Sequence, residues 1–411
     1  MRCKTIKKLV VGSIGILVVI CLYFGISSGT ERVVISNEES KQLMNTNALT
    51  MMYKIEAGSG EYQVTSDTTW PQEGYVFNDR LSKCENGSEL SWDDENKRVI
   101  VSTSVSDKCY VYFNVYAPIF SDYIINDIYT EDGENGLYYH DEVGTYGTLE
   151  AGDGSYRYAG ANPNNYVCFG SDATSCPADN LYRIIGVFDG QVKLIKYDYA
   201  GESTLGTAPA RIVTPNSSYY KGSLSNIPNY YWSGSSSNDS NTWSSSTLNT
   251  DILNGTYLNT LGSEWTSKIA TTSWKVGGNT YSNITQNATP KIAYTNEIES
   301  PVENTTYSAK IGLMYVSEYG YAASPENWNT TLYNYDNDTN RNNNWMYMGA
   351  YEWTISRSSD YGNDAFRVNV DGGVDDYGVY NYYGVRPSFS LESSVVLSGG
   401  SGTSAYPFRV N

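Results

Sequence analysis

The sequence has 411 residues, which is enough for two or three domains that each bury a hydrophobic core. Its formal net charge is −18 and its estimated pI is about 4.5. Because phosphate binding needs clustered Lys and Arg, this acidic balance argues against DNA, RNA and anionic lipid as partners of the body of the protein.

The N-terminal segment is typical of a signal or membrane anchor. Basic residues open the chain, at Arg2, Lys4, Lys7 and Lys8, and residues 9–26 carry no charge. At about 1.5 Å rise per residue this stretch reaches about 27 Å, close to the hydrocarbon thickness of about 30 Å. Basic residues occur only on the N-terminal flank of this stretch, and this asymmetry orients the N-terminus toward the cytoplasm. We therefore expect a single-pass cell membrane protein, held through residues 9–26 with its C-terminal body extracellular, or a secreted protein if the signal is cleaved.

The remaining chain divides by composition into four parts. Beyond a signal anchor at 1–29 we expect a polar stalk over 30–46, a small β module over 47–118, a connector over 119–165 and a larger domain over 166–411. Short β-branched and aromatic runs separated by turn residues predict strands in the module at 50–55, 62–65, 74–77, 90–92, 99–101 and 110–115. Apolar spacing predicts a short helix over 122–129.

The cysteines beyond the anchor indicate disulfides, since an exported chain meets an oxidising environment. Cys84 with Cys109 and Cys168 with Cys176 is the favoured pairing because each pair falls within one local segment, although four cysteines allow three pairings. A zinc site is the alternative, but the chain has one His and no C-x-x-C motif. We predict no metal and no cofactor.

The larger domain begins with the clearest local pattern in the chain. Two strand-like runs, 181–188 and 191–196, flank Asp189-Gly190, which predicts a hairpin with a type I′ turn. Helical spacing over 247–261 predicts one helix turning into a second. Strand-like runs follow at 269–276, 292–294 and 310–316, then a strand from Trp345 through 353–355, an alternating run at 365–370 and a last strand over 385–391.

The C-terminal motifs resemble a known architecture. W-T-I-S (353–356), A-F-R-V-N-V (365–370), D-G-G-V (371–374) and G-V-R-P-S-F (384–389), together with R-I-I-G-V-F (183–188) and K-I-G-L-M-Y (310–315), resemble the bacterial C-type-lectin-like fold. This fold includes a branch shared with formylglycine-generating enzymes. The motifs are also similar to those of a domain of unknown function in surface proteins of gut-type Gram-positive bacteria. The resemblance covers about residues 166–411. It implies a small twisted antiparallel core flanked by two helices, with ligand-facing residues on loops.

The expected fold class is therefore α+β and β-rich, with an N-terminal transmembrane or signal helix, a disulfide-stapled β module and a C-terminal C-type-lectin-like domain. The enzyme branch of this fold relies on reactive cysteines near its C-terminal segment. This chain has no Cys after Cys176, which argues against transfer of that activity. His140 is the single candidate for a general base.

Aromatic and amide side chains concentrate near the C-terminus, in a chain with 39 Tyr. Tyr and Asn supply rigid amphipathic contact area and adaptable hydrogen bonds, as in antibody loops. The candidate ligand-binding residues are Tyr347, Tyr351, Ser358, Ser359, Asp360, Tyr361, Asn363, Tyr377, Tyr380, Asn381, Tyr382 and Tyr383. The alternative interpretation is ordinary polar loops in a Tyr-rich chain.

The favoured function is a surface-anchored ligand-binding or adhesion protein that takes an extracellular protein or glycan and no nucleic acid. In some lectin-fold proteins this terminal region is diversified by adenine-directed mutagenesis, and a receptor of that kind is one form of this hypothesis. A pilin-like or envelope structural subunit is the alternative, suggested by the short charged N-terminal segment followed by one apolar helix. A formylglycine-generating-like enzyme rests on fold analogy alone.

Overall fold

The computed structural model describes residues 31–35, 49–56, 62–64, 75–93, 98–103, 107–115, 117–207, 211–216 and 218–411. The chain forms two compact units, Met1–Ala117 and Pro118–Asn411. Strands dominate both, and helices add to the second, so the fold is mixed α+β and β-rich. The predicted anchor at 9–26 lies outside the described residues. Among the helices that the structure describes, none combines the length and apolar character needed to cross a membrane.

The first unit is built of strands in its described ranges. These are β1 (Glu31–Ile35), β2 (Leu49–Glu56), β3 (Tyr62–Val64), β4 (Tyr75–Phe77), β5 (Lys83–Cys84), β6 (Glu89–Asp93), β7 (Arg98–Thr103) and β8 (Asp107–Val115). One sheet has the order β1-β7-β6, and the other has β3-β2-β8-β4 with β5 also on β8. Strands thus form at each predicted place in the module, and β1 lies within the segment predicted to be a stalk.

A disulfide and an aromatic cluster hold the first unit together. Cys84 and Cys109 are bonded, on the paired strands β5 and β8. Phe113 is buried, and its ring lies 5.9 Å from that of Phe77 and 5.4 Å from that of Trp92. A unit of this size buries little apolar surface by itself, so the bridge supplements a small core.

The second unit contains strands β9–β24. They are β9 (Leu137–Tyr139), β10 (Tyr156–Tyr158), β11 (Tyr166–Cys168), β12 (Leu181–Phe188), β13 (Gln191–Lys196), β14 (Arg211–Val213), β15 (Ile227–Tyr231), β16 (Thr272–Lys275), β17 (Thr306–Ala309), β18 (Glu352–Arg357), β19 (Asp364–Val368), β20 (Val374–Gly378), β21 (Tyr382–Tyr383), β22 (Ser388–Ser390), β23 (Leu397–Gly399) and β24 (Phe408–Val410). The main sheet runs β22-β13-β12-β11-β24-β23, with β10 on β12 and β9 on β10. Smaller sheets are β14-β15-β21, β16-β17 and β18-β19-β20.

Helices of the second unit are short. The α-helices are α1 (Phe120–Tyr123), α2 (Glu202–Leu205), α3 (Leu258–Thr260), α4 (Gly262–Ser267), α5 (Pro290–Tyr294), α6 (Val316–Tyr321) and α7 (Asp338–Asn342). Wider helical turns cover Ile124–Ile128, Leu248–Tyr257, Ser282–Gln286 and Thr295–Glu299, and tighter ones cover Gly147–Leu149, Ala178–Asn180, Trp243–Ser245, Pro325–Asn327 and Leu332–Asn334.

The predicted hairpin and the predicted disulfides are confirmed. Strands β12 and β13 pair in antiparallel fashion from Phe188↔Gln191 onward. Asp189 and Gly190 both have positive φ, 48° and 74°, as a type I′ turn requires. Cys168 is bonded to Cys176, as Cys84 is to Cys109.

Several local predictions were wrong. Residues 292–294 belong to helix α5 rather than to a strand, since Pro290 occupies the first helical turn after an extended Thr289. Trp345 lies outside β18, and the predicted strand over 385–391 is regular only at Ser388–Ser390. The domain division stays a prediction; within 119–165, strands β9 and β10 join the main sheet.

Tyrosines form much of the core of the second unit. Tyr319, Tyr335 and Tyr347 are buried, and their hydroxyls donate to the carbonyl oxygens of Gly372, Gly320 and Val370 respectively. A buried hydroxyl that finds a carbonyl avoids the desolvation cost of an unpaired polar group. The Tyr-rich composition therefore reflects core packing as well as surface chemistry.

Candidate functional site

The predicted site segment is carried by a small antiparallel sheet and the turns beside it. Strand β19 pairs with β18 on one side and β20 on the other, with Arg367 opposite both Trp353 and Asp375. Strand β21 follows and pairs with β15 through Tyr383↔Tyr230. Since side chains alternate along a strand, Arg367, Asp375 and Tyr377 share one face of this sheet.

Arg367 is enclosed by tyrosine rings on that face. Its guanidinium carbon lies 4.3 Å from the ring centroid of Tyr351, 4.3 Å from that of Tyr377 and 4.6 Å from that of Tyr383. A cation within about 6 Å of an aromatic face is attracted by the ring quadrupole. The arginine is nearly buried, so it fixes the three rings in one arrangement. We call these four residues the tyrosine face.

The tyrosine face has a buried base and an exposed rim. Tyr383 is buried, and its ring lies 4.6 Å from that of Trp353. Burial raises the pKa of Tyr383 well above its usual range, with Arg367 opposing the shift. Tyr351 and Tyr377 are 41% and 46% exposed. Large aromatic area is therefore presented to solvent from a rigid base.

One asparagine shapes the turn that follows β18. The buried Asn241 side-chain nitrogen lies 2.7, 2.9 and 2.7 Å from the carbonyl oxygens of Ser358, Tyr361 and Asp364, and its two N–H groups are shared among these three acceptors. Asn363 donates its side-chain amide to Ser237 O. These contacts leave Tyr361 62% exposed at the tip of the turn. The turn adjoins the end of β20, where Val379 N donates to Asn363 O.

Carboxylates lie on both faces of this sheet: Asp375 shares the face of Arg367, and Asp364 and Asp376 lie on the other. Burial raises the pKa of Asp364, and repulsion from Asp376 and Asp375 adds to the shift. Burial likewise raises the pKa of Asp376. Asp360 accepts from Tyr281 N at 2.7 Å.

The structure brings some predicted site residues together and separates others. Tyr351, Tyr377 and Tyr383 meet around Arg367, and Tyr380 lies over Gly378. In contrast Tyr347 and Ser358 are buried, so they support the fold. The remaining residues line the turns: Ser359 is half-buried, Asn381 caps the turn by donating to Gly378 O, and Tyr382 packs on Tyr231.

Sequence reasoning missed Arg367, which organises the face. The alternating run 365–370 predicts that Arg367 lies on a strand. Its three ring partners, Tyr351, Tyr377 and Tyr383, are distant from it in sequence, so no local pattern indicates that they meet. In the described ranges of the chain, no group of three His, Cys, Asp or Glu side chains is arranged to hold a metal ion.

His140, the single candidate base in the sequence, packs in the interior. Its Nδ1 accepts from Ala151 N at 3.0 Å, and its ring lies 4.7 Å from that of Tyr321 and 5.0 Å from that of Trp328. Burial holds its pKa well below the usual range. These contacts indicate that His140 stabilises the core of the second unit.

No protein-family model, curated protein or solved structure matches this chain. Function is therefore inferred from the chemistry of the site, since a fold by itself does not specify an activity.

Proposed function

We propose that this protein is a surface-anchored ligand-binding protein, whose tyrosine face docks an extracellular protein or glycan. The observation that carries the proposal is the enclosure of Arg367 by the rings of Tyr351, Tyr377 and Tyr383 at 4.3, 4.3 and 4.6 Å. Tyr buries large area on binding with few side-chain torsions to immobilise. Rings already held in place lose still less freedom, which favours affinity.

The exported location is part of the same proposal. The uncharged run at 9–26 after basic residues suits an anchor, and the two disulfides suit an oxidising compartment. We also propose that residues 166–411 form a C-type-lectin-like domain, on the likeness of the W-T-I-S and G-V-R-P-S-F motifs. In that arrangement the tyrosine face would be the ligand-facing loop surface.

Binding screens with matched variants test the ligand-binding proposal. The full chain is screened against glycan and extracellular-protein arrays, and each hit is titrated with Tyr377→Ala and Tyr351→Ala, the two exposed rings that pack on Arg367. Truncation of an aromatic anchor at an interface costs about 2 kcal/mol or more, so we expect at least roughly a 30-fold loss of affinity. Tyr406→Ala is the control, because Tyr406 is 67% exposed and lies outside the tyrosine face. Hits that bind both face variants as tightly as the control would refute the assignment.

Topology requires a separate measurement. Protease shaving of intact cells, followed by mass spectrometry, should release peptides from residues 118–411 and leave residues 1–26 with the cell. Recovery of the whole chain from the cytosol with free thiols would contradict the proposed location.

A further inference from the structure

Arg367 differs from the other buried cations of the described residues because its guanidinium has no hydrogen-bond acceptor. Its Nε is enclosed and has no hydrogen-bond partner. Nη1 and Nη2 likewise donate to no described residue, and no described carboxylate forms an ion pair with the group. The other buried lysines and arginines of the described residues each donate at least one hydrogen bond, and they are Arg157, Arg183, Lys193, Lys196 and Arg386. A buried charge without such a partner is costly, so Arg367 is an incompletely satisfied group.

The tyrosine rings compensate only part of this cost. Tyr351, Tyr377 and Tyr383 place ring centroids 4.3, 4.3 and 4.6 Å from the guanidinium carbon. A ring face attracts the positive charge, but the planar edge of the guanidinium keeps its N–H donors. Arg367 keeps 8% of its surface accessible, and Nη1 and Nη2 are not enclosed as Nε is. The donors at the end of the side chain can therefore be reached from solvent, beside two half-exposed rings.

The carboxylate on the same face of the sheet does not satisfy Arg367. Asp375 lies opposite Arg367 on the paired strand β20 and shares its face. It forms no ion pair with the guanidinium, and its Oδ1 instead accepts from Asp376 N at 3.1 Å. The two aspartates still add negative charge close to the arginine. A single acceptor group therefore has unused donors to meet, whereas a group with several negative charges is repelled.

We propose that the tyrosine face binds a protein partner through a single Asp or Glu side chain, whose carboxylate accepts hydrogen bonds from the end of Arg367. This inference rests on the proposed ligand-binding function and specifies its partner. A planar carboxylate matches the fork of N–H donors on a guanidinium, and such charge-assisted bonds are about twice as strong as neutral ones. Arg and Tyr are enriched at the centres of protein–protein interfaces, which favours a protein over other sources of a carboxylate.

Matched peptides test the charge preference. The full chain is titrated with an array of short capped peptides of neutral residues that carry one central Glu, Gln or phosphoserine, and with polyglutamate. We expect the tightest Glu peptides to bind roughly 10-fold more tightly than their Gln counterparts, and also more tightly than phosphoserine peptides or polyglutamate. No binding by any Glu peptide, equal binding of Glu and Gln peptides, or tighter binding of phosphoserine peptides or polyglutamate overturns the proposal.

Two substitutions test the position of the carboxylate. Arg367→Met removes the charge and keeps an apolar stem among the rings, so Glu peptides should fall to the affinity of Gln peptides while Gln peptides are unchanged. A Glu preference that survives in this variant would refute the assignment to Arg367.

Asp375→Asn keeps the test decisive if circular dichroism shows that Arg367→Met does not fold. It removes one nearby negative charge without touching the arginine, so Glu peptides should bind roughly 3-fold more tightly and Gln peptides equally well. The control is Asp172→Asn, which neutralises an exposed carboxylate in the 168–176 loop. An equal response of Glu peptides to the two variants would mean that the carboxylate binds elsewhere.

This proposal and the proposed function can fail separately. Loss of both Glu and Gln peptides in Tyr377→Ala, with no Glu preference in wild type, would keep the tyrosine face as a binding surface and reject the acidic partner. A Glu preference that persists unchanged in both Tyr377→Ala and Tyr351→Ala would reject both proposals, because the carboxylate would then lie away from the rings.

Discussion

The arginine of the G-V-R-P segment is a buried structural charge. Arg386 is 1% exposed and its partner Glu352 is 2% exposed. Arg386 Nε donates to Glu352 Oε1 at 2.7 Å, and Nη2 donates to Met346 O at 2.7 Å. The pair therefore joins β18 to the segment before β22, directly behind the tyrosine face.

We expect Glu352→Gln to lower the free energy of unfolding by about 3 to 5 kcal/mol, because it leaves a buried guanidinium without a counter-charge. Arginine cannot release its proton in a protein, so the charge persists. Arg386→Met leaves a carboxyl group that can take up a proton, and its cost should be smaller. Since protonation relieves that cost, the stability of Arg386→Met should improve relative to wild type as the pH falls from 7 to 5.

Denaturant unfolding of the full chain, followed by tryptophan fluorescence, measures these effects. The double variant Glu352→Gln/Arg386→Met should recover most of the loss, to within about 1 to 2 kcal/mol of wild type, since no buried charge remains. A loss below about 1 kcal/mol for Glu352→Gln would mean that water reaches the pair, and the account of this core would be wrong.

Further predictions concern His140, the Asn241 side chain that holds the turn at 358–364, and the disulfides. Because burial lowers the pKa of His140, the folded chain binds fewer protons there than the unfolded chain. The free energy of unfolding should therefore fall by about 1.4 kcal/mol per pH unit below about 6.5. Denaturant titrations over a series of pH values should show this dependence in wild type and lose it in His140→Gln. An unchanged slope would contradict it. Asn241→Asp should cost about 2 to 3 kcal/mol and speed hydrogen exchange over 358–364, since both N–H donors to the three carbonyl oxygens are lost. Unaltered exchange would show that Asn241 does not hold this turn. Replacing both Cys of the 84–109 bridge by Ser should cost about 3 to 4 kcal/mol, and the 168–176 bridge about 2 to 3, because their sequence separations are 25 and 8. Equal losses in thermal melts would refute the loop-length argument.

Local chemistry made parts of this fold predictable. Asp189-Gly190 between two apolar runs indicates a type I′ hairpin because few other residues adopt positive φ at both central positions. The strands of the first unit follow from β-branched and aromatic runs between turn residues. The disulfides follow from cysteines close in sequence. Each of these features depends on residues near one another along the chain.

The candidate sites were harder to predict because their parts are distant in sequence. Tyr347 and Tyr377 look equivalent in composition, yet one is buried with its hydroxyl on Val370 O and the other is half exposed. Whether a tyrosine serves the core or the surface depends on the carbonyl or solvent that its hydroxyl meets in three dimensions.

The sequence by itself determined the β-rich character, the hairpin turn and the cysteine pairs, because backbone preferences and short loops act locally. The tertiary structure alone decided that Arg367 lies among three tyrosine rings. Such contacts arise from sheet pairing and burial across long separations, and no periodicity along the chain encodes them.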